Sequence, residues 1–307
     1  MKAFLKKVNQ SNTLFDILIV MGIFLLAMGL ANYLGTEINI PGFILGSVGC
    51  VLLLVTIKGM EFYSLRSEQL DFDHELLRKI IPGLSPNHDG KPSNRTEYSG
   101  LILLLILIAG WATIQFVLLQ TNMLPVSALI WIFLIALFAM LLGMPSINIV
   151  NSGFAELIKS MLLFGLFPVY AFLTIGGEFH ILIVLICIPI AFFYLALQLS
   201  LGLYHYTDDQ NSGRKNLLQR IGWKQGMFFH NLFILIGFVS FACTPLFGYP
   251  EKIFLNPLIV LPVGLILIFM LYRIEHGRKP EWNSLIFLEK VMHVLVMYFF
   301  LAALVLQ

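Results

Sequence analysis

The chain has 307 residues, 59% of them apolar and only 12% charged, with a net charge of +2. That is more apolar surface than one soluble core of this size can hide, which excludes a soluble enzyme and implies an integral membrane protein. No nucleic acid is expected as a partner.

A bilayer core is crossed by about 20 apolar residues of helix. Nine stretches qualify: 14–34, 39–60, 99–119, 125–143, 159–176, 180–203, 227–248, 253–273 and 286–306. The first follows Lys2, Lys6 and Lys7 as a secretion signal would, but it is too long and further spans follow, so it reads as an anchor helix. With the N-terminus in the cytoplasm, every Lys and Arg except Lys252 falls on the cytoplasmic side, and the C-terminus lies outside. The predicted fold is all-α: a polytopic membrane protein of nine transmembrane helices around a central cavity, one domain over 1–307. Its polar loops follow helices two and six on the cytoplasmic side.

The first inner loop, Glu61 to Tyr98, opens with a stretch that can prolong span two as a helix until Pro82 and Gly83. Glu61, Ser64, Glu68, Asp71 and Glu75 are spaced by three or four residues and share one face of that helix. Like charges at one-turn spacing repel. A seat for a divalent cation such as magnesium explains the stripe, because hard cations take carboxylate oxygens. A solvated face balanced by Arg66, Arg78 and Lys79 explains it equally well. The fragment His88, Asp89, Gly90 reads as a turn.

Further along, Cys50, Cys187 and Cys243 lie inside predicted spans and read as packing residues. Asp16, Gln198, His230, Asn231 and His293 are polar residues in or near apolar helices, where such side chains are costly and often line cavities. His230 and Asn231 open span seven, within reach of a bound head group, but interfacial placement explains them as easily. Trp223 and Trp282 mark one interfacial level.

The second inner loop, Tyr204 to Gly226, places His205 and Asp209 one turn apart. Gly213, Arg214, Lys215 and Arg220 follow, a flexible turn with three cations suited to phosphate oxygens. The positive-inside bias accounts for these cations too.

Asp209, Gly213, the basic pair, Leu217, Arg220 and Gly222 resemble the second acidic motif of the UbiA family of intramembrane prenyltransferases, most of all the branch that prenylates dihydroxynaphthoate. The stretch from Gly153 to Gly176 is similar to the Gly-x-x-Glu and Phe-Gly segment of that branch. The family's first motif aligns with Met60, Glu61, Ser64 and Glu68, and its second begins at His205, where the pattern has an acid. The resemblance implies transfer of an isoprenoid chain from its diphosphate to an aromatic or quinone-precursor acceptor. Glu61, Glu68, Asp71 and Asp209 would hold Mg2+, with Glu61, Glu68 and Asp209 central to catalysis. Arg66, His205, Arg214, Lys215 and Arg220 would contact the diphosphate. The leaving charge would be neutralised by metal and cations, the carbocation would sit in an aromatic-rich chamber, and the tail would meet membrane lipid in a bacterial or archaeal cell membrane. Two alternatives stand beside this: a relative that keeps the fold and binds lipid or a partner without catalysis, and a transporter. The transporter lacks helices broken by Gly or Pro in matching halves.

Overall fold

The computed structural model describes residues 13–68, 95–143, 152–211 and 216–306, with the side chains of 61–68 and 95–101 outside that description. Among the described residues all regular structure is helical. In chain order the long helices are α1 (Thr13–Tyr33), α2 (Ile40–Glu68), α3 (Arg95–Gln120), α4 (Ala128–Gly143), α5 (Ala155–Thr174), α6 (Ile181–Tyr204), α7 (Trp223–Phe247), α8 (Glu251–Glu275) and α9 (Trp282–Val305). Eight of them are long and apolar enough to cross a membrane, and the chain is an integral membrane protein. The exception is α4, whose 16 residues reach about 24 Å at 1.5 Å per residue, short of a core about 30 Å thick.

Side-chain pairs fix which helix ends share a face. Lys159 at the start of α5 pairs with Asp16 at the start of α1. Lys290 of α9 lies 5.5 Å from the Phe15 ring of α1, and Trp223 of α7 meets Trp282 of α9 edge-on at 5.7 Å. The starts of α1, α5, α7 and α9 therefore lie on one face, and the two tryptophans do mark one level. At the opposite face, Asn39 before α2 donates its backbone N–H to Ile175 O at 2.8 Å, just after α5.

Small residues let these helices approach closely, as packing in lipid requires. A Cβ at Gly42 would lie 2.1 Å from the Thr174 carbonyl oxygen, and one at Gly237 would lie 2.5 Å from the Phe193 ring. The Thr174 contact is with backbone and cannot be relieved by a rotamer change. Gly42→Ala is therefore expected to destabilise the bundle by about 1–3 kcal/mol, read as a lower melting temperature in detergent.

Several aromatic side chains are packing residues. Phe193, Phe238, Phe241, Phe254 and Phe300 touch one another in a chain of tilted and edge-on contacts inside the bundle. Cys50 and Cys187 are buried free thiols and Cys243 is half-buried. One irregularity bears on the site: α5 contains a π turn at Leu162–Leu166, directly before Phe167 and Pro168. The Pro168 ring would clash with the Phe164 carbonyl in a regular helix, and the wider turn gives it room.

Candidate active site

A cavity lies among α2, α4, α5 and α6. Its described lining is amphipathic. Leu54, Ile57, Leu142, Leu162 and Leu163 form an aliphatic wall, and Lys58, Glu156, Lys159 and Gln198 supply the polar groups. Leu162 and Leu163 come from the π turn, a feature that recurs at functional sites because its extra residue re-aims side chains. No aromatic side chain is among the described residues lining this cavity, in contrast to the aromatic-rich chamber expected.

The cavity joins the two helices whose ends carry the predicted acidic motifs. Lys58 sits one turn before Glu61 on α2, and Gln198 two turns before His205 on α6. The backbone of α2 stays helical through Glu68, so the face-sharing inferred for Glu61, Ser64 and Glu68 keeps its geometric basis. The side chains of Glu61, Arg66 and Glu68, and all of Asp71, Glu75, Arg214 and Lys215, lie outside the described residues.

The second motif is better defined. His205 caps the C-terminal end of α6, is exposed, and packs edge-on against Tyr204 at 4.5 Å. Asp209 lies on the short helix Tyr206–Asn211, where its backbone N–H donates to His205 O at 2.9 Å. Its Oδ2 accepts a 2.6 Å hydrogen bond from Asn216 Nδ2. Asn216 is buried and caps the next helix, Leu217–Ile221, by accepting from the Gln219 N–H at 2.7 Å. This positioning role was missed in the sequence, although an Asn followed three residues later by Gln is a helix-start signature. Arg220 Nη1 donates to Ser152 O at 2.9 Å, and its guanidinium lies 4.3 Å over the Phe154 ring. It braces the turn that leads into α5.

Lys159 was not anticipated as a site residue. Its ammonium pairs with the buried Asp16 carboxylate, which also accepts from Tyr194 Oη at 2.9 Å, and it lies 5.5 Å over the Tyr194 ring. Three helices thus fix one cation at the cavity wall. His230, by contrast, is not at the cavity. It is fully buried and paired through Nε2 with Glu289 Oε1, which also accepts from Ser200 Oγ at 2.7 Å. Among the described residues no group of three or more His, Cys, Asp or Glu side chains is placed to hold a metal.

No family model matches the chain, and no curated protein matches it. Solved structures do. A structure described as giving insights into digeranylgeranylglyceryl phosphate synthase in membranes matches with a TM-score of 0.63 and 14% identity, over 98% of this chain and 100% of that one. A UbiA homologue from Archaeoglobus fulgidus bound to GPP and Mg2+ matches with a TM-score of 0.57 and 13% identity, over 96% of this chain and 99% of its own. The same homologue bound to DMAPP and Mg2+ matches with a TM-score of 0.57 and 13% identity, over 97% and 100%. The chain therefore has a UbiA-like fold along nearly its whole length.

Proposed function

We propose that the chain is a UbiA-family prenyltransferase, one domain over 1–307, which moves an isoprenoid chain from its diphosphate to an aromatic or quinone-precursor acceptor inside the membrane. The observation that carries this reading is the cavity itself, whose lysines and aliphatic wall lie between the two helices that bear the acidic motifs. Such a lining suits a ligand with an anionic head and an apolar tail, which is what an isoprenoid diphosphate is. The likeness in fold to proteins whose structures hold GPP or DMAPP with Mg2+ supports it.

Lys58 and Lys159 bind the diphosphate oxygens in this reading, with Arg66, His205, Arg214, Lys215 and Arg220 as the wider set of contacts. Lys159 is held in place by Asp16 and Tyr194, so little side-chain freedom is lost on binding. The leucines and Ile57 exclude water from the tail. Asp209, oriented by Asn216 at the exposed end of α6, offers oxygen donors of the kind a hard cation takes. Glu61, Glu68, Asp71 and Asp209 would hold Mg2+, which when bound supplies charge neutralisation for the leaving diphosphate. The topology proposed with it has α4 as a ninth span, the N-terminus and the basic face in the cytoplasm, and the C-terminus outside. A bacterial or archaeal cell membrane is the proposed setting.

Purified protein given radiolabelled geranyl diphosphate, magnesium and a panel of aromatic acceptors including dihydroxynaphthoate tests this. Transfer that requires metal and falls by about 10²-fold or more in Asp209→Ala and Glu61→Ala supports it. Tight lipid binding with no diphosphate release supports the second reading, a relative that has lost catalysis. One observation favours that reading: Met60, at the position where the resembling pattern has Asn, sits where a Cβ on Gly143 of α4 would lie 2.5 Å from its Sδ.

A further inference from the structure

The polar and apolar parts of the cavity follow one another along the helices, and the apolar part is short. The start of α5 lies on the face where α2 ends, since Asn39 before α2 is bonded to Ile175 after α5 at the other face. Moving inward from the α5 start, α2 presents Lys58 and then Leu54 to the cavity, and α5 presents Lys159 and then Leu162 and Leu163. Each step is three or four residues, about 4.5–6 Å at 1.5 Å per residue. On none of the four helices does a described lining residue lie deeper than these leucines.

The residues that continue the same stripes close the bottom. Cys50 stands four residues before Leu54 on α2, and Tyr194 four before Gln198 on α6, each on the face of the residue above it. On α5, Phe167 donates its backbone N–H to Leu162 O across the π turn, which stacks it beneath that leucine. All three are at most 1% exposed, and none lines the cavity. Tyr194 is fixed further by its 2.9 Å hydrogen bond to Asp16 and by the Phe164 ring at 5.3 Å. A close-packed floor of this kind does not yield to added methylenes without strain.

We infer that the donor is a short isoprenoid diphosphate, of one or two five-carbon units, whose tail ends above Cys50, Phe167 and Tyr194; this rests on the prenyl-transfer reading above. An isoprene unit adds four chain bonds of about 1.5 Å each, roughly 5 Å when extended. With the diphosphate at Lys58 and Lys159, the first unit fills the step down to Leu54 and Leu163. A second finds room only by turning towards Ile57 and Leu142. Leu54 is then a residue that sets donor length.

The test measures binding, so no acceptor is needed. Non-hydrolysable dimethylallyl, geranyl, farnesyl and geranylgeranyl thiolodiphosphates compete, with magnesium, against labelled geranyl thiolodiphosphate on protein in nanodiscs. Native protein is expected to bind the geranylgeranyl compound about tenfold or more weakly than the geranyl one. Leu54→Ala should raise farnesyl relative to geranyl binding by about tenfold, and Leu54→Phe should lower geranyl relative to dimethylallyl binding by about as much. Partition into the bilayer is common to all variants, so these ratios report the cavity. Affinity that keeps rising to geranylgeranyl in the native protein overturns the inference, as does an order of chain lengths unchanged in both variants. If Leu54→Ala does not fold, Phe167→Leu opens the same floor, and an unchanged order there overturns it. Native protein that binds none of the four compounds overturns the prenyl-transfer reading instead.

Discussion

Glu289→Ala is expected to lower the stability of the folded bundle by about 3–5 kcal/mol, seen as a large drop in melting temperature in detergent. Glu289 is fully buried in α9, and its Oε1 receives Ser200 of α6 and His230 of α7. His230 Nδ1 in turn lies 3.0 Å from Asn231 Oδ1. Removing the Glu289 side chain alone leaves the buried His230 ring and Ser200 hydroxyl without the partner they share. Glu289→Leu combined with His230→Phe removes both members of the pair and is expected to recover most of the loss, since apolar replacements of a whole buried pair are often neutral. If the double variant melts as low as Glu289→Ala, steric disruption rather than a stranded polar partner is responsible.

Lys159→Met is expected to have the next largest effect, about 3 kcal/mol, because it removes the ammonium paired with the buried Asp16 carboxylate. Asp16→Asn in the same background should restore much of the stability. A double-mutant cycle on the pair should give a coupling of about 1–3 kcal/mol, and a coupling near zero would show that the two side chains act independently. In the proposed reading, diphosphate binding should be lost in Lys159→Met whether or not Asp16 is also replaced, which separates the stability of the pair from the proposed role of its cation.

What the sequence made legible was whatever depends on neighbours along the chain. Apolar length placed the helices, and only α4 falls short, because hydropathy counted Pro125 to Ser127 ahead of the helix start at Ala128. The α6 end with His205 and Asp209 was also visible, since both lie on one continuous segment. The ion pairs were not. Asp16 and Lys159 are separated by 143 positions and His230 and Glu289 by 59, so nothing local marks either pair as partners. Lys159 and Lys290 read as topological charges at the ends of helices, and Glu289 did not stand out at all. Nor did the sequence show that Arg220 donates to the Ser152 carbonyl, 68 positions away.

The shared face of the helix starts has an electrical consequence. Each helix carries about half a positive charge at its N-terminal end and half a negative one at its C-terminal end, from aligned peptide dipoles. The starts of α1, α5, α7 and α9 and the ends of α2 and α6 therefore bring both signs of backbone charge to one side of the membrane. The beginning of α5 lends the cavity wall a positive field that adds to Lys58 and Lys159, while the ends of α2 and α6 point a negative field at the segments that carry Glu61 and Asp209. The backbone thus sorts an anion towards α5 and a cation towards α2 and α6 before any side chain is counted.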